Sequence, residues 1–378
     1  MAKVHITLVG GQREPIYKII MHNSPDRVLF IYSNETEKYI VPIKELVKKH
    51  SAHVPEFHQE LFNPTKLQKI RSKLKRLFED SNGNKYFTID DEVTVNLTGG
   101  TKPWSILFFD YFKDRENVSL QLIDQNDTLT NLVNYESIKV QVPLEIEDRF
   151  ILQGLKIKTS TVLDRYSEAD LATIPDMHEM RKYNHKHFLK LTKSLSEHPN
   201  QVYVEFEGSS LRYNKNDDRN KCNIVCQLSG NGGSRSWKVI SPNIRRLITN
   251  TGWFEVEVAR LLHRLYPQAP ILLNCKLKYT SDKTRGEKNE LDIVMIINGK
   301  LLCVECKTQV ASISDVNKFY EVVTRAGQAT KPIYFTLDEM NEAARENCNV
   351  RSIPYFTTSE KEDEIVNRIN EYLVSSNA

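Results

Sequence analysis

Four ionisable residues interrupt the most strand-like stretch of the chain, ELDIVMIINGKLLCVECKT at 290–308. Asn298-Gly299 is a strong signal for a two-residue hairpin turn. Pairs counted outward from a tight turn set Asp292 against Glu305 and Glu290 against Lys307. The strand period of two then puts all four on one face. The other face reads Leu291, Ile293, Met295, Leu302, Val304 and Cys306, an apolar set fit for a core. Two carboxylates opposed on a sheet repel each other. They share a proton or hold a cation, and a hard divalent ion such as Mg²⁺ or Mn²⁺ suits oxygen ligands. Lys307 points the same way. It is placed to position or deprotonate a water, or to stabilise charge developing on a phosphate.

A further acid belongs with these. In TGWFEVEVARLLHRL, Glu255 falls in helical register with Val258, Ala259 and Leu262. An ionisable group on an inward apolar stripe needs a partner or a purpose. Glu257 aligns instead with Arg260 and Arg264 and reads as a solvated ion-pair face.

A second kind of chemistry is written in glycine. LVGGQREP (8–15) and NLTGGTKPW (96–104) each close an apolar strand. Gly99 and Gly100 permit a tight turn and close approach of the backbone to a ligand. Thr98 and Thr101 supply hydroxyls, Lys102 a charge, and Pro103 starts a helix whose N-terminus favours anions. The spacing is neither a Walker A loop nor a dinucleotide fingerprint, which argues against ATP hydrolysis and hydride transfer. Two such loops on one sheet edge point to a nucleotide-type ligand.

These loops and acids need elements to hold them. In the first half, continuous apolar strands (VHITLVGG, DRVLFIYS, EVTVNL) alternate with amphipathic helices, the pattern of a parallel sheet covered on both faces. Residues 118–143 read as one or two added antiparallel strands. Residues 144–170 have no clear sheet pattern and are expected to hold the junction. The second half has a mixed segment (178–240), the helix carrying Glu255, a strand near 271–279, the hairpin, a helix near 315–326, the strand PIYFTL and two C-terminal helices.

The chain has 378 residues, enough for two domains, with ordinary globular composition. No apolar run is long enough to span a bilayer. The start, MAKVHITLVGG, enters a strand pattern without a signal-peptide apolar region. The expectation is a cytoplasmic protein with no membrane partner. Six cysteines make no disulfide framework. Cys303 and Cys306 are not half a zinc site, because residues three apart on a strand diverge. Net charge is only +3, yet residues 151–302 hold 24 Lys/Arg against 16 Asp/Glu. That surplus suits a polyanion. Lys276, Lys278, Lys283, Arg285 and Lys288 precede the acids and are candidates for guiding a phosphate backbone. RNK (219–221) and NGGSRSWK (231–238) are weaker candidates, with Trp237 or Tyr279 for base stacking.

A helical Glu, then Asp, then Glu-x-Lys on the adjacent strand resembles the PD-(D/E)xK nuclease superfamily. Here it reads Glu255, Asp292 and Glu305-Cys306-Lys307, with Leu291 in the proline position. NLTGGTKPWS, with a first strand ending in GGQREP, resembles the CARF domain, the Rossmann-like sensor of CRISPR-associated proteins. The two together resemble the accessory nucleases of type III CRISPR systems. The resemblance implies a Rossmann-like CARF domain at 1–145, a linker at 146–170 and a restriction-endonuclease-like α/β/α domain at 171–378. It implies a homodimer that binds a cyclic oligoadenylate, most of all cyclic tetra-adenylate, as allosteric activator. It implies a Mn²⁺- or Mg²⁺-dependent nuclease acting on single-stranded DNA or RNA, or nicking duplex DNA. Glu255, Asp292 and Glu305 become the metal ligands, with Lys307 beside them in catalysis. The ligand loops become Gly10, Gly11 and Gln12, then Thr98, Gly99, Gly100, Thr101 and Lys102, with Ser33 and Thr36 after the second strand.

Overall fold

The computed structural model describes residues 1–79, 86–88, 90–279, 289–309, 311–327 and 329–375. In chain order the first half runs β1 (Lys3–Leu8), α1 (Glu14–Asn23), β2 (Arg27–Tyr32), α2 (Ile40–His50), β3 (Glu56–Leu61), α3 (Leu67–Phe78), β4 (Glu92–Asn96), α4 (Lys102–Phe112), β5 (Val118–Ile123), β6 (Thr128–Asn131) and β7 (Ser137–Lys139). They form one sheet in the order β3-β2-β1-β4-β5-β6-β7. The first five strands are parallel, and β6 and β7 run antiparallel. β6 and β7 are the antiparallel strands expected in the 118–143 stretch, and β5 is a parallel strand that the expectation lacked.

Helices cover both faces of this sheet, which is why β1 and β2 are buried without alternation. α1 and α2 pack Ile16, Tyr17, Ile20, Ile43 and Val47 on one face, and α3 and α4 pack Ile70, Leu74, Trp104 and Phe108 on the other. The crossovers wind one way from β1 to β3 and the other way from β4 to β5. The order reverses between β1 and β4, where doubly wound sheets open a ligand crevice.

The stretch 146–170 departs from the expected patternless junction. It holds α5 (Ile146–Leu152), β8 (Leu155–Val162) and the short α6 (Glu168–Leu171). β8 pairs antiparallel with β13 (Ile271–Tyr279) as the edge strand of the C-terminal sheet. Only half-covered, it can be largely polar, and its exposed residues hid it. The mixed segment contains α7 (Ile174–Tyr183), α8 (His185–Glu197) and a four-stranded antiparallel sheet of β9 (Tyr203–Phe206), β10 (Ser209–Asn214), β11 (Asn223–Gly230) and β12 (Gly233–Ile240).

The remaining elements are α9 (Ile244–Ile248), α10 (Gly252–Leu265), β13, β14 (Asn289–Ile297), β15 (Lys300–Lys307), α11 (Ile313–Arg325), β16 (Lys331–Thr336), α12 (Glu342–Val350), β17 (Tyr355–Thr357) and α13 (Glu362–Ser375). The six-stranded sheet has the order β17-β16-β15-β14-β13-β8. α10 packs on one face through Val258, Ala259 and Leu262, in a core with Ile293, Met295, Leu302 and Val304. α11 packs on the other through Val316, Phe319 and Val323, with Leu291, Val294, Leu301 and Cys303. β14 and β15 thus lie in the middle of an α/β/α sandwich. All six cysteines are buried and free, and Cys303 and Cys306 lie in different cores. Among the described residues, no helix is long and apolar enough to cross a membrane.

Candidate active site and ligand crevice

Asn298 and Gly299 both take positive φ (49° and 72°), as a tight primed hairpin turn requires. The ladder follows the expected register from Ile297–Lys300 to Ile293–Val304, and there it stops. Beyond that point β14 stays with β13, pairing Leu291 with Cys275 and Glu290 with Lys276. β15 stays with β16, pairing Glu305 with Tyr334 and Lys307 with Thr336. Asp292 and Glu305 are therefore not cross-strand partners, and neither are Glu290 and Lys307.

The physical reason lies one strand over. Asn274, on β13, has φ +49°, and the pairing of β13 with β8 shifts register beside it. Leu273 packs in the α10 core, but Cys275 packs in the α11 core. β14 breaks its alternation at the paired level, with Leu291 in the α11 core and Ile293 in the α10 core. The expected single apolar face is corrected accordingly: Leu291 leaves it, and the hairpin is buried on both faces. The backbone distortion opens a gap between β14 and β15. There the Asp292 carboxylate accepts the Cys306 N–H at 2.8 Å, beyond the last ladder pair.

The sequence-derived acids converge on this gap. Glu255, in the first turn of α10, is only 8% exposed and accepts a hydrogen bond from the Asn274 side-chain amide. Lys307 Nζ lies 2.6 Å from Glu305 Oε1. Glu290 is exposed, and Lys307 pairs with Glu305 instead of it. Glu257 is paired with His178 at 3.0 Å, whereas Arg260 and Arg264 go to Glu168 and Glu362, so the expected Glu257–arginine face is corrected.

Among the described residues, three carboxyl groups gather around the Lys307 ammonium, and their acidity shows it. Burial pushes Glu255 up to about 8, with Glu290 and Glu305 adding to it against the Asn274 hydrogen bond. Burial, then Glu305 and Glu255, hold Asp292 well above the usual carboxylate range. Burial raises Glu305 too, opposed by Lys307. Burial alone would lower Lys307, but Glu305, then Asp292 and Asp315, raise it, so it is an ammonium. Buried negative charge in excess of its counterions favours taking up a proton or a cation. An all-oxygen donor set fits a hard divalent ion in kind. As placed, each acid is engaged by Asn274, the Cys306 N–H or Lys307. Among the described residues no three His, Cys, Asp or Glu side chains stand close enough to hold an ion.

Two supports escaped the sequence. Asn274 carries no motif, and only its left-handed backbone singles it out. Arg181 of α7 donates to the Thr308 carbonyl at 2.6 Å and to the Asp338 carboxylate, tying down the chain just past Lys307. Among the basic candidates, Lys276 and Lys278 are half-buried on β13, while Lys283, Arg285 and Lys288 lie outside the described residues.

In the N-terminal domain, the loops after β1 and β4 meet at the switch point. A Cβ on Gly10 would sit 2.7 Å from the Gly100 nitrogen, and one on Gly99 would strike the Leu8 carbonyl oxygen. The glycines let two backbones touch. Gly11 has open space around it, and Gln12 and Lys102 are exposed beside it. The Thr98 hydroxyl accepts the Ile123 N–H at 2.9 Å. Thr101 leans on the Pro64 carbonyl at 3.4 Å. Ser33 and Thr36 build their own turn after β2, the Ser33 N–H reaching the Thr36 hydroxyl at 2.9 Å.

Comparison with known proteins bears on both sites. A family model for the Card1 CARF domain matches residues 4–148, and one for the Card1-like endonuclease domain matches residues 242–322. No curated protein matches the sequence. Among solved structures, the fold is similar to Can2 from Sulfobacillus thermosulfidooxidans in complex with cyclic tetra-adenylate (TM-score 0.70, 18% identity, 98% of this chain and 99% of that one). It is similar to protein VC1899 from Vibrio cholerae (TM-score 0.68, 14% identity, 98% and 97%). It is also similar to a type III CRISPR defence DNA nuclease activated by cyclic oligoadenylate (TM-score 0.54, 14% identity), covering 97% of this chain and 52% of that one. The first half of this chain thus matches a Card1 CARF domain, and its second half carries a match to a Card1-like endonuclease domain.

Proposed function

We propose that this protein is a cyclic-oligoadenylate-gated, divalent-metal-dependent nuclease of type III CRISPR defence. The observation that carries the reading is the cluster of buried, proton-hungry carboxyls where β14 and β15 part, on the strands matched by the Card1-like endonuclease model. Glu255, Asp292 and Glu305 would hold Mn²⁺ or Mg²⁺. When bound, such an ion polarises the phosphodiester and lowers the pKa of a bound water. The protein's own groups prepare that step. Asn274 aims Glu255, and the Cys306 N–H aims Asp292. Lys307, held as an ammonium by Glu305, offers its Nζ proton to a phosphate oxygen as negative charge develops there. The switch-point loops at Gly10–Gln12 and Thr98–Lys102 are the activator site, with cyclic tetra-adenylate the first candidate by analogy with the Can2 complex. The active form is a homodimer, and single-stranded DNA or RNA, or a duplex that is nicked, is the substrate.

The test is cleavage of single-stranded DNA, RNA and supercoiled duplex with Mn²⁺ or Mg²⁺, with and without cyclic tetra-adenylate. The expected result is cleavage only when metal and activator are both present. Full cleavage without activator would make it an ungated nuclease. Activator binding with no cleavage of any substrate would make it a sensor that acts by binding.

A further inference from the structure

Among the described residues, α5 sends side chains into both the N-terminal core and the core beneath the candidate active site. Ile146 and Phe150, one turn apart, pack with Leu291, Val294, Leu301 and Cys303 of the hairpin. Leu152 packs with Val9, Ile16 and Tyr17, at the start of the glycine loop and on α1. Between these faces, Arg149 is buried and divides its guanidinium. Nη1 binds both carboxylate oxygens of Glu14 at 2.9 Å, and Nη2 donates to the Gly299 carbonyl at 2.9 Å. Glu14 opens α1, two residues after Gln12. Gly299 is the turn of the hairpin whose far end carries Asp292 and Glu305. Arg13, stacked on Tyr39 at 3.9 Å, adds a second tie from the loop to α5 by donating to the Leu152 carbonyl at 2.5 Å. Asp148 clamps the same helix to the end of α2 through Lys49 (2.8 Å) and His50 (2.9 Å).

We infer that Arg149 is the coupling residue of this enzyme, joining the β1–α1 ligand loop to the turn of the hairpin that carries the acids. This rests on the gated-nuclease reading and names its wiring. A displacement of the loop carries Glu14. Arg149 follows, because severing either bond would strand a buried charge or a carbonyl. Its hydrogen bond to the Gly299 carbonyl then moves the turn, and β14 and β15 are one continuous ladder from that turn to the gap. Lys300 also spans the two halves, donating to the Gln125 carbonyl at 2.8 Å, but Gln125 lies in the β5–β6 turn, away from the ligand loop.

Linkage separates a coupler from a staple. A ligand that must drag the nuclease domain spends part of its binding free energy doing so, and cutting the wire returns that part. The experiment measures cyclic tetra-adenylate affinity by calorimetry and Mn²⁺-dependent cleavage with and without activator. It compares wild type, Arg149→Met, Arg149→Lys, Glu14→Gln and Lys300→Ala. Arg149→Met should lower the activated rate at least about tenfold, the scale of one charged hydrogen bond, with the unactivated rate unchanged and the activator bound as tightly or tighter. Arg149→Lys should recover part of the activation and Lys300→Ala should retain it. Glu14→Gln should lose at least about threefold, which keeps the test alive if Arg149→Met fails to fold. Full activation in Arg149→Met or Glu14→Gln would overturn the inference, as would equal losses in Arg149→Met and Lys300→Ala. A wild type indifferent to activator would instead overturn the gating reading on which it rests.

Discussion

Two candidate sites lie at strand ends, and they are made in opposite ways. At the N-terminal candidate, side chains are missing: Gly10, Gly99 and Gly100 let two loops come into backbone contact at a reversal of strand order. The C-terminal gap is made by the backbone and filled with charge: two strands part at Asp292 beside the left-handed Asn274, and among the described residues three carboxyls gather around one lysine. The first site is set by space and the second by electrostatics. Substitutions at the crevice should therefore act through folding and ligand fit. Substitutions in the gap should abolish chemistry while sparing, or even raising, stability.

The largest expected effect is on activity in the gap. Glu305→Ala or Asp292→Asn should lower cleavage by about a thousandfold or more in a saturating-metal assay, with the unfolding midpoint held or raised. Parallel losses of stability and activity would erase the contrast between the sites. Next comes Gly99→Ala, whose new Cβ meets the Leu8 carbonyl oxygen. It should cost about 2–4 kcal/mol in denaturant unfolding. Gly11→Ala, which meets nothing, should stay within about 0.5 kcal/mol of wild type. Equal costs would mean that the loops are not in contact.

The third prediction is pH dependence. The Glu255 pKa is raised in the folded protein from its ordinary 4.5 to about 8, so the native state binds a proton that the unfolded chain releases. Its contribution is complete below about pH 4.5 and is lost as pH rises through 8. Glu255 should contribute a loss of about 1 kcal/mol per pH unit across that window in metal-free protein, set against the opposite contribution of the buried His5, whose pKa is lowered to about 3. Glu255→Gln should flatten the slope, and Mn²⁺ should reverse it. The smallest effect is expected at Asn274→Ala, which removes the amide that holds Glu255 and disfavours the left-handed backbone. It should cost about 1–2 kcal/mol and lower cleavage more modestly than loss of a carboxylate.

Much of this was legible in the sequence. Asn298-Gly299 sets the hairpin turn by local conformational preference. The stripe through Glu255, Val258, Ala259 and Leu262 marks an inward acid without reference to any other element. The parting of the strands was not legible, because its cause, the left-handed Asn274, sits on a different strand and reaches Asp292 only through the sheet. β3 and β8 were missed for a related reason. EFHQEL and LKIKTSTV lie on sheet edges, where half-burial leaves no apolar alternation to read. The bond from the Ile123 N–H to the Thr98 hydroxyl was not legible either, because Ile123 lies on a strand 25 residues away.

The central claim is that the three acids hold a divalent ion, which displaces the proton that burial favours on Glu255. Calorimetric titration of Mn²⁺ into the cyclic tetra-adenylate-bound protein, in buffers of differing ionisation enthalpy near pH 7, tests it directly. The account predicts Mn²⁺ binding with release of protons, and loss of both in Glu305→Gln. Mn²⁺ binding without proton release, or undiminished in Glu305→Gln, would contradict it.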